Sequence, residues 1–111
     1  MLPYIKFIEI TNKILKLDKF PAMSPLSQKI LDQIALYSMG DKPLTVREML
    51  DFDQIASPAT IHKHLSRLRK SGYVTAQSND NDKRTKHLTL SPLGYEYIDH
   101  LSKAILKAAA K

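Results

Sequence analysis

From Ser57 to Val74 the chain reads SPATIHKHLSRLRKSGYV, a stretch that holds Lys63, Arg67, Arg69 and Lys70 and contains no aspartate or glutamate. Cations without acidic neighbours neutralise anions, above all the phosphates of a nucleic acid, whose condensed counterions are released in exchange. Small residues near the start of the stretch, Ser57 and Ala59, allow close approach, which is what a helix reading a major groove needs. The plainer alternative is an ordinary solvated basic face.

Other chemistries find less support. His62 and His64 are two residues apart on an expected helix and diverge by about 200°, which is wrong for chelation from one face. His64 falls at the edge of an apolar stripe and reads as a packed histidine; His87 and His100 stand without a carboxylate motif. There is no glycine-rich phosphate loop, no His-Glu-x-x-His, and no nucleophile elbow among the three glycines. Asp80 and Asp82 read as turn formers, not as an acid/base pair. The chain has no cysteine, which excludes disulfides and thiolate ligands. The expectation is a protein that is no enzyme and carries no metal or cofactor.

The placement of charge strengthens the polyanion reading. Of a net +6 over 111 residues, positions 1–56 contribute zero (seven basic, seven acidic), positions 57–87 contribute +5 (seven against two) and positions 88–111 contribute +1 (three against two). A basic segment inside a neutral framework is the footprint of a nucleic-acid binder. With 43% apolar and 25% charged residues, the chain has the composition of a soluble domain. Its length suits a single domain over 1–111. Apolar runs are too short to span a bilayer, and the start, MLPYIKFIEI, does not resemble a signal peptide, so a cytoplasmic protein is expected.

The elements that position the basic stretch follow from caps and periodicity. Ser57 and Pro58 start a helix and Gly72 ends it, so a helix is expected over 58–71. Ile61, Leu65 and Leu68 form its buried stripe; Ala59, Lys63, Ser66 and Lys70 lie opposite Ile61, flanked by His62 and Arg67. Ahead of it, residues 3–17 carry Ile5, Ile8 and Leu15 on one side of a helix and Phe7, Ile10, Ile14 and Leu17 on another. Such a helix must be covered on more than one side, and a second subunit is the expected cover. Ser24-Pro25 opens a helix whose buried face is Leu26, Ile30, Leu31, Ile34 and Tyr37, ended by Gly40. Leu44 could add one extended pairing to a sheet. Thr45 and Glu48 form a capping box, so a short helix starts at Val46, buries Val46, Met49 and Leu50, and ends around Phe52. This helix, a turn and the basic helix make a helix-turn-helix. Residues 73–77 and 85–90 alternate as two antiparallel strands, with Val74, Leu88 and Leu90 inward, around a polar loop carrying Lys83 and Arg84. Ser91-Pro92 opens a last helix with Leu93, Tyr97, Ile98, Leu101, Ile105 and Leu106 on its stripe. It is expected to join the first helix in a dimer interface, with Ile5, Ile8, Leu15, Leu101 and Ile105 as the contact residues. The fold class is mainly α with a small β-wing: a winged helix-turn-helix whose N- and C-terminal helices form the dimer interface. Within it, 1–40 holds the N-terminal helices, 41–90 the winged helix-turn-helix and 91–111 the C-terminal helix.

Three pieces in order, Leu68-Arg69-Lys70-Ser71-Gly72-Tyr73-Val74, the wing motif Asp82-Lys83-Arg84, and Leu90-Ser91-Pro92-Leu93-Gly94, resemble the winged-helix domain of the MarR (multiple antibiotic resistance regulator) family of transcription factors. Lys83 stands where that family more often has a second arginine. The resemblance implies a homodimer on duplex DNA, a repressor at a pseudo-palindromic operator, with helix 58–71 in the major groove and wing 78–84 at the minor groove. It implies that Thr60, His62, Lys63 and Arg67 touch bases or phosphates, that Arg84 enters the minor groove, and that Asp82 orients arginine within the protein. Ser57, Ala59, Ser66, Lys70, Lys83 and Lys86 complete the expected DNA surface. The family often binds small aromatic anions in a cleft; Tyr37 and Tyr73 could line one, but their apolar positions favour core packing. Two alternatives remain: a protein-interaction adaptor whose basic face docks an acidic partner, and DNA binding in replication or mobile-element control.

Overall fold

The computed structural model describes residues 2–40, 42–78 and 81–110. In chain order the elements are α1 (Pro3–Leu15), α2 (Pro25–Ser38), α3 (Val46–Leu50), α4 (Pro58–Ser71), β1 (Val74–Ser78), β2 (Lys86–Leu90) and α5 (Pro92–Ala109). The fold is the winged helix-turn-helix that the sequence pattern predicts.

Each helix begins where its side-chain cap dictates. The hydroxyls of Ser24, Ser57 and Ser91 accept from the backbone N–H groups of Ser27, Thr60 and Gly94, and a proline follows each cap. Thr45 and Glu48 close a complete capping box at the start of α3, which ends at Leu50, two residues before the expected Phe52. α4 stops at Gly72, whose φ of 90° is the left-handed conformation that glycine adopts without a Cβ clash. Tyr73 then donates its N–H back to the Leu68 carbonyl at 3.0 Å. That bond keeps Tyr73 out of the sheet, so β1 starts one residue later than the sequence suggests.

β1 and β2 pair antiparallel with Val74 opposite Leu90 and Ser78 opposite Lys86. Val74, Leu88 and Leu90 face inward as expected. Leu44 supplies the anticipated extra pairing: Leu88 donates its N–H to the Leu44 carbonyl at 2.7 Å, and Thr45 and His87 form an isolated antiparallel bridge. Asp41, and Asn79 and Asp80 of the expected wing loop, lie outside the described residues.

The core gathers Ile30, Leu31 and Ile34 of α2, Met49 of α3, Ile61, Leu65 and Leu68 of α4, and Leu88 of β2, all 2% exposed or less. A second cluster ties the connection after α1 to α5. Phe20 meets Tyr97 edge-on at 5.4 Å between centroids, and Tyr73 meets the same Tyr97 at 5.4 Å. The Tyr97 hydroxyl donates to Gln28 Oε1 at 2.6 Å, joining α5 to α2.

Several sequence expectations need correction. Tyr37 is 41% exposed instead of buried: it lies in the last turn of α2, one turn beyond the buried Ile34, where its ring meets Phe52 edge-on at the margin of the core. Leu17 lies beyond the end of α1 and is exposed. Leu101 is half-buried against the chain's own core, while Ala104 and Ala108 are buried beside it and Ile105 and Leu106 face outward. Ile5, Ile8 and Leu15 are exposed, as the two-sided pattern of α1 requires.

Gly94 explains why a glycine stands in the first turn of α5. A Cβ there would overlap the backbone carbonyl of Tyr73, which also accepts the Ser91 N–H at 3.0 Å. The Ser91 hydroxyl donates in turn to the Gly72 carbonyl. The end of α4 and the start of α5 are thus locked through backbone groups.

Candidate nucleic-acid interface

The outer face of α4 is open. Ser57, Ala59, His62, Lys63, Arg67, Arg69 and Lys70 are exposed, and Thr60 and Ser66 are half-buried. Ser57 and Thr60 are already engaged with each other, since the Ser57 hydroxyl caps Thr60 N–H and donates to Thr60 Oγ1 at 2.9 Å. What they present outward is therefore a fixed cap with the Thr60 hydroxyl hydrogen still to give.

The basic residues of α4 do not all point the same way. Arg67 borders a cavity of about 340 Å³ between α4 and the start of α2, together with Met23, Ser27 and Tyr73. Arg69, two residues on, borders a different cleft on the opposite flank, shared with α3 and the wing. Lys63 and His62 lie between these two flanks, nearer the helix start.

His64 is the packed histidine that the sequence suggests. Its Nδ1 lies 3.1 Å from Ser27 Oγ and 3.3 Å from Ser24 Oγ, bringing α4 against the capped start of α2. Burial, followed by the nearby cations Arg67 and Lys63, pushes its pKa below the ordinary value of 6.5. The neutral ring is favoured in the fold. Among the described residues no group of three or more His, Asp or Glu side chains could hold a metal ion. No helix among them is long and apolar enough to cross a membrane.

The wing tip is organised by Asp82. Its carboxylate accepts the Thr85 hydroxyl at 2.6 Å and the Arg84 N–H at 3.0 Å, and these bonds hold it below the usual carboxylate range. Asp82 thereby fixes the backbone that carries Arg84. Lys83, Arg84 and Lys86 are all exposed.

Sequence reasoning leaves two members out of this surface, Arg47 altogether and Arg69 as a contact residue. Arg47, on α3, lines a cleft of about 570 Å³ with Arg69, Arg84 and Lys86, over a floor of Val46 and Leu50. No helical-face argument on α4 could find it, because it belongs to another helix and joins the group only through the packing of α3. Its signal in the sequence is no more than a basic residue just inside a capping box.

A family model described as the LexA DNA binding domain matches residues 23–85, more than half of the chain. The chain belongs to that family. The LexA-type region runs from the residue before the α2 cap to the wing, so it takes in α2, α3, α4 and β1 and leaves out α1 and α5. Solved structures extend the likeness to those outer helices. The chain is similar to the transcriptional regulator Tm0710 from Thermotoga maritima, with 18% identity and a TM-score of 0.61 over 96% of this chain and 75% of that one. It is similar to MepR of Staphylococcus aureus in complex with DNA, with 14% identity and a TM-score of 0.69 over 94% and 79%. It is also similar to MarR, with 20% identity and a TM-score of 0.59 over 92% and 66%. At such identities the likeness is one of fold. The MarR resemblance of the sequence is thus matched in architecture, and the family that the sequence model assigns is the LexA DNA-binding domain. No curated protein matches the chain.

Proposed function

We propose that this protein is a cytoplasmic, dimeric transcription regulator of MarR type, a repressor that binds a pseudo-palindromic duplex operator. All 111 residues act as one unit. α4 lies in the major groove and the wing at the adjacent minor groove, where Arg84 is drawn to the negative potential of an A·T-rich tract. His62, Lys63 and Arg67 are the candidates for base contact. Lys70, Lys83 and Lys86 act on phosphates, and Ser57, Ala59, Thr60 and Ser66 allow the helix to approach closely. α1 and α5 pair with a second copy through Ile5, Ile8, Leu15 and Ile105, which are 45%, 37%, 46% and 56% exposed and otherwise face water.

The observation that carries this reading is the outer face of α4, on which every charged side chain is basic and uncovered, within a domain of the LexA DNA-binding family. The test is selection of bound fragments from random-sequence duplex DNA, repeated across a salt series. A two-fold-symmetric motif with a steep salt dependence is the expected result. Weak, flat binding without enrichment would overturn it and turn attention to an acidic protein partner.

A further inference from the structure

The cleft between α3, the last turn of α4 and the base of the wing gathers positive charge from several elements. Arg47 comes from α3, Arg69 from α4, Lys86 from the start of β2 and Arg84 from the wing. Among the described residues the ion pairs are Lys19 with Glu96 and Lys103 with Asp99, so none of these four cations is neutralised by a carboxylate. Four unpaired cations around one opening repel each other, and an anion placed there relieves that repulsion.

The rest of the lining says what kind of anion fits. Val46 and Leu50 make an apolar floor. The two hydroxyls present each hold one bond already: Thr45 accepts the Glu48 N–H at 3.1 Å, and Thr85 donates to Asp82 at 2.6 Å. Among the described residues that line the cleft there is no side-chain amide or carboxylate, so what it offers a ligand is chiefly positive charge. The cleft also sits between the helix assigned to the major groove and the wing assigned to the minor groove. A major groove and its neighbouring minor groove are separated by a sugar–phosphate strand, so whatever occupies this gap is backbone.

We propose that Arg47 and Arg69, with Lys86, form a phosphodiester-binding cleft that grips the strand passing from the groove read by α4 to the groove that Arg84 enters from the wing. The cleft positions the domain on any duplex and carries no sequence preference of its own. The inference rests on the DNA-binding reading above and deepens it by naming the backbone anchor.

The experiment compares the parent protein with R47A/R69A and with the charge-retaining R47K/R69K. Each is titrated with its selected operator and with unrelated duplex over a salt series. Circular dichroism melting checks that the exposed substitutions leave the fold intact. Each phosphate contact contributes about 0.9 to the log–log salt slope and a dimer loses two contacts in each protomer, so the slope of R47A/R69A should flatten by about 3.6 on both duplexes. The ratio of specific to nonspecific affinity should stay unchanged, and R47K/R69K should restore most of the slope. An unchanged slope in R47A/R69A, with the parent binding normally, overturns the cleft and leaves the DNA-binding reading standing. A parent that binds no duplex overturns both. Pyrophosphate, titrated by calorimetry without DNA, separates the other source of phosphate. Saturable binding that R47A/R69A loses while keeping its DNA slope would reassign the cleft to a free phosphorylated ligand and overturn the proposal.

Discussion

The Tyr73 hydroxyl donates to the backbone carbonyl of Pro21 at 2.6 Å, joining two residues 52 positions apart. Burial, with Tyr97 beside it, pushes the phenol up to about 12, so it remains a donor throughout the physiological range. Tyr73→Phe keeps the ring and leaves the carbonyl without this donor. The expected loss is about 1 kcal/mol, seen as a lower urea midpoint with an unchanged slope. An unaltered midpoint would show that the bond contributes nothing to the anchoring of the α1–α2 connection.

His64 makes stability depend on pH in a direction fixed by its environment. The folded state holds its pKa below 6.5, so between the two values the unfolded chain binds more protons than the folded one. The stabilisation is complete above about pH 6.5 and is lost as pH falls toward the depressed folded value. His64→Asn should flatten the melting temperature against pH in that window. The same slope in the variant and the parent would assign it to another group.

Two glycines should respond differently to alanine. At Gly94 a Cβ would meet the Tyr73 carbonyl and press on Leu90, so Gly94→Ala should destabilise by about 1–3 kcal/mol. At Gly40 the nearest atom to a Cβ is the Tyr37 carbonyl at 3.5 Å and φ is not positive, so Gly40→Ala should change stability by less than about 0.5 kcal/mol. Thermal melts of the two variants give the comparison directly.

The proposed dimer has its own test. Ile8→Glu places a charge on the outward side of α1, where the monomer fold has room for it because the side chain is 37% exposed. Sedimentation should then report a monomer with an unchanged circular dichroism spectrum, and a persistent dimer would move the interface elsewhere.

What the sequence makes legible is local. Ser24, Ser57 and Ser91 declare helix starts because a cap acts over three residues, and Gly72 declares an end because only its own backbone must turn. The stripe Ile61, Leu65 and Leu68 is equally plain, since helical period alone places it. Tyr37 is not legible in this way, because period says which face a residue occupies and not whether the core still extends beneath it. Neither Arg47 nor the place of Arg69 can be read from the sequence, because their shared cleft exists only once α3, α4 and β2 are packed together. The reason for Gly94 is hidden in the same way: the atom that excludes a side chain belongs to Tyr73, on the far side of the hairpin.

The bridge between Thr45 and His87, with the Leu44 carbonyl bound to Leu88 N–H, fastens β2 near its loop end to the chain just before α3. A ribbon clamped there cannot swing independently of the helices. In the DNA-bound state proposed above, the distance between helix and wing is then a dimension of the protein and not of its target. Such a rigid caliper fits one groove spacing best, so duplex that is over- or underwound must be strained to match it. Tightness of binding would follow the twist of the DNA, measurable as affinity against superhelical density on one operator plasmid.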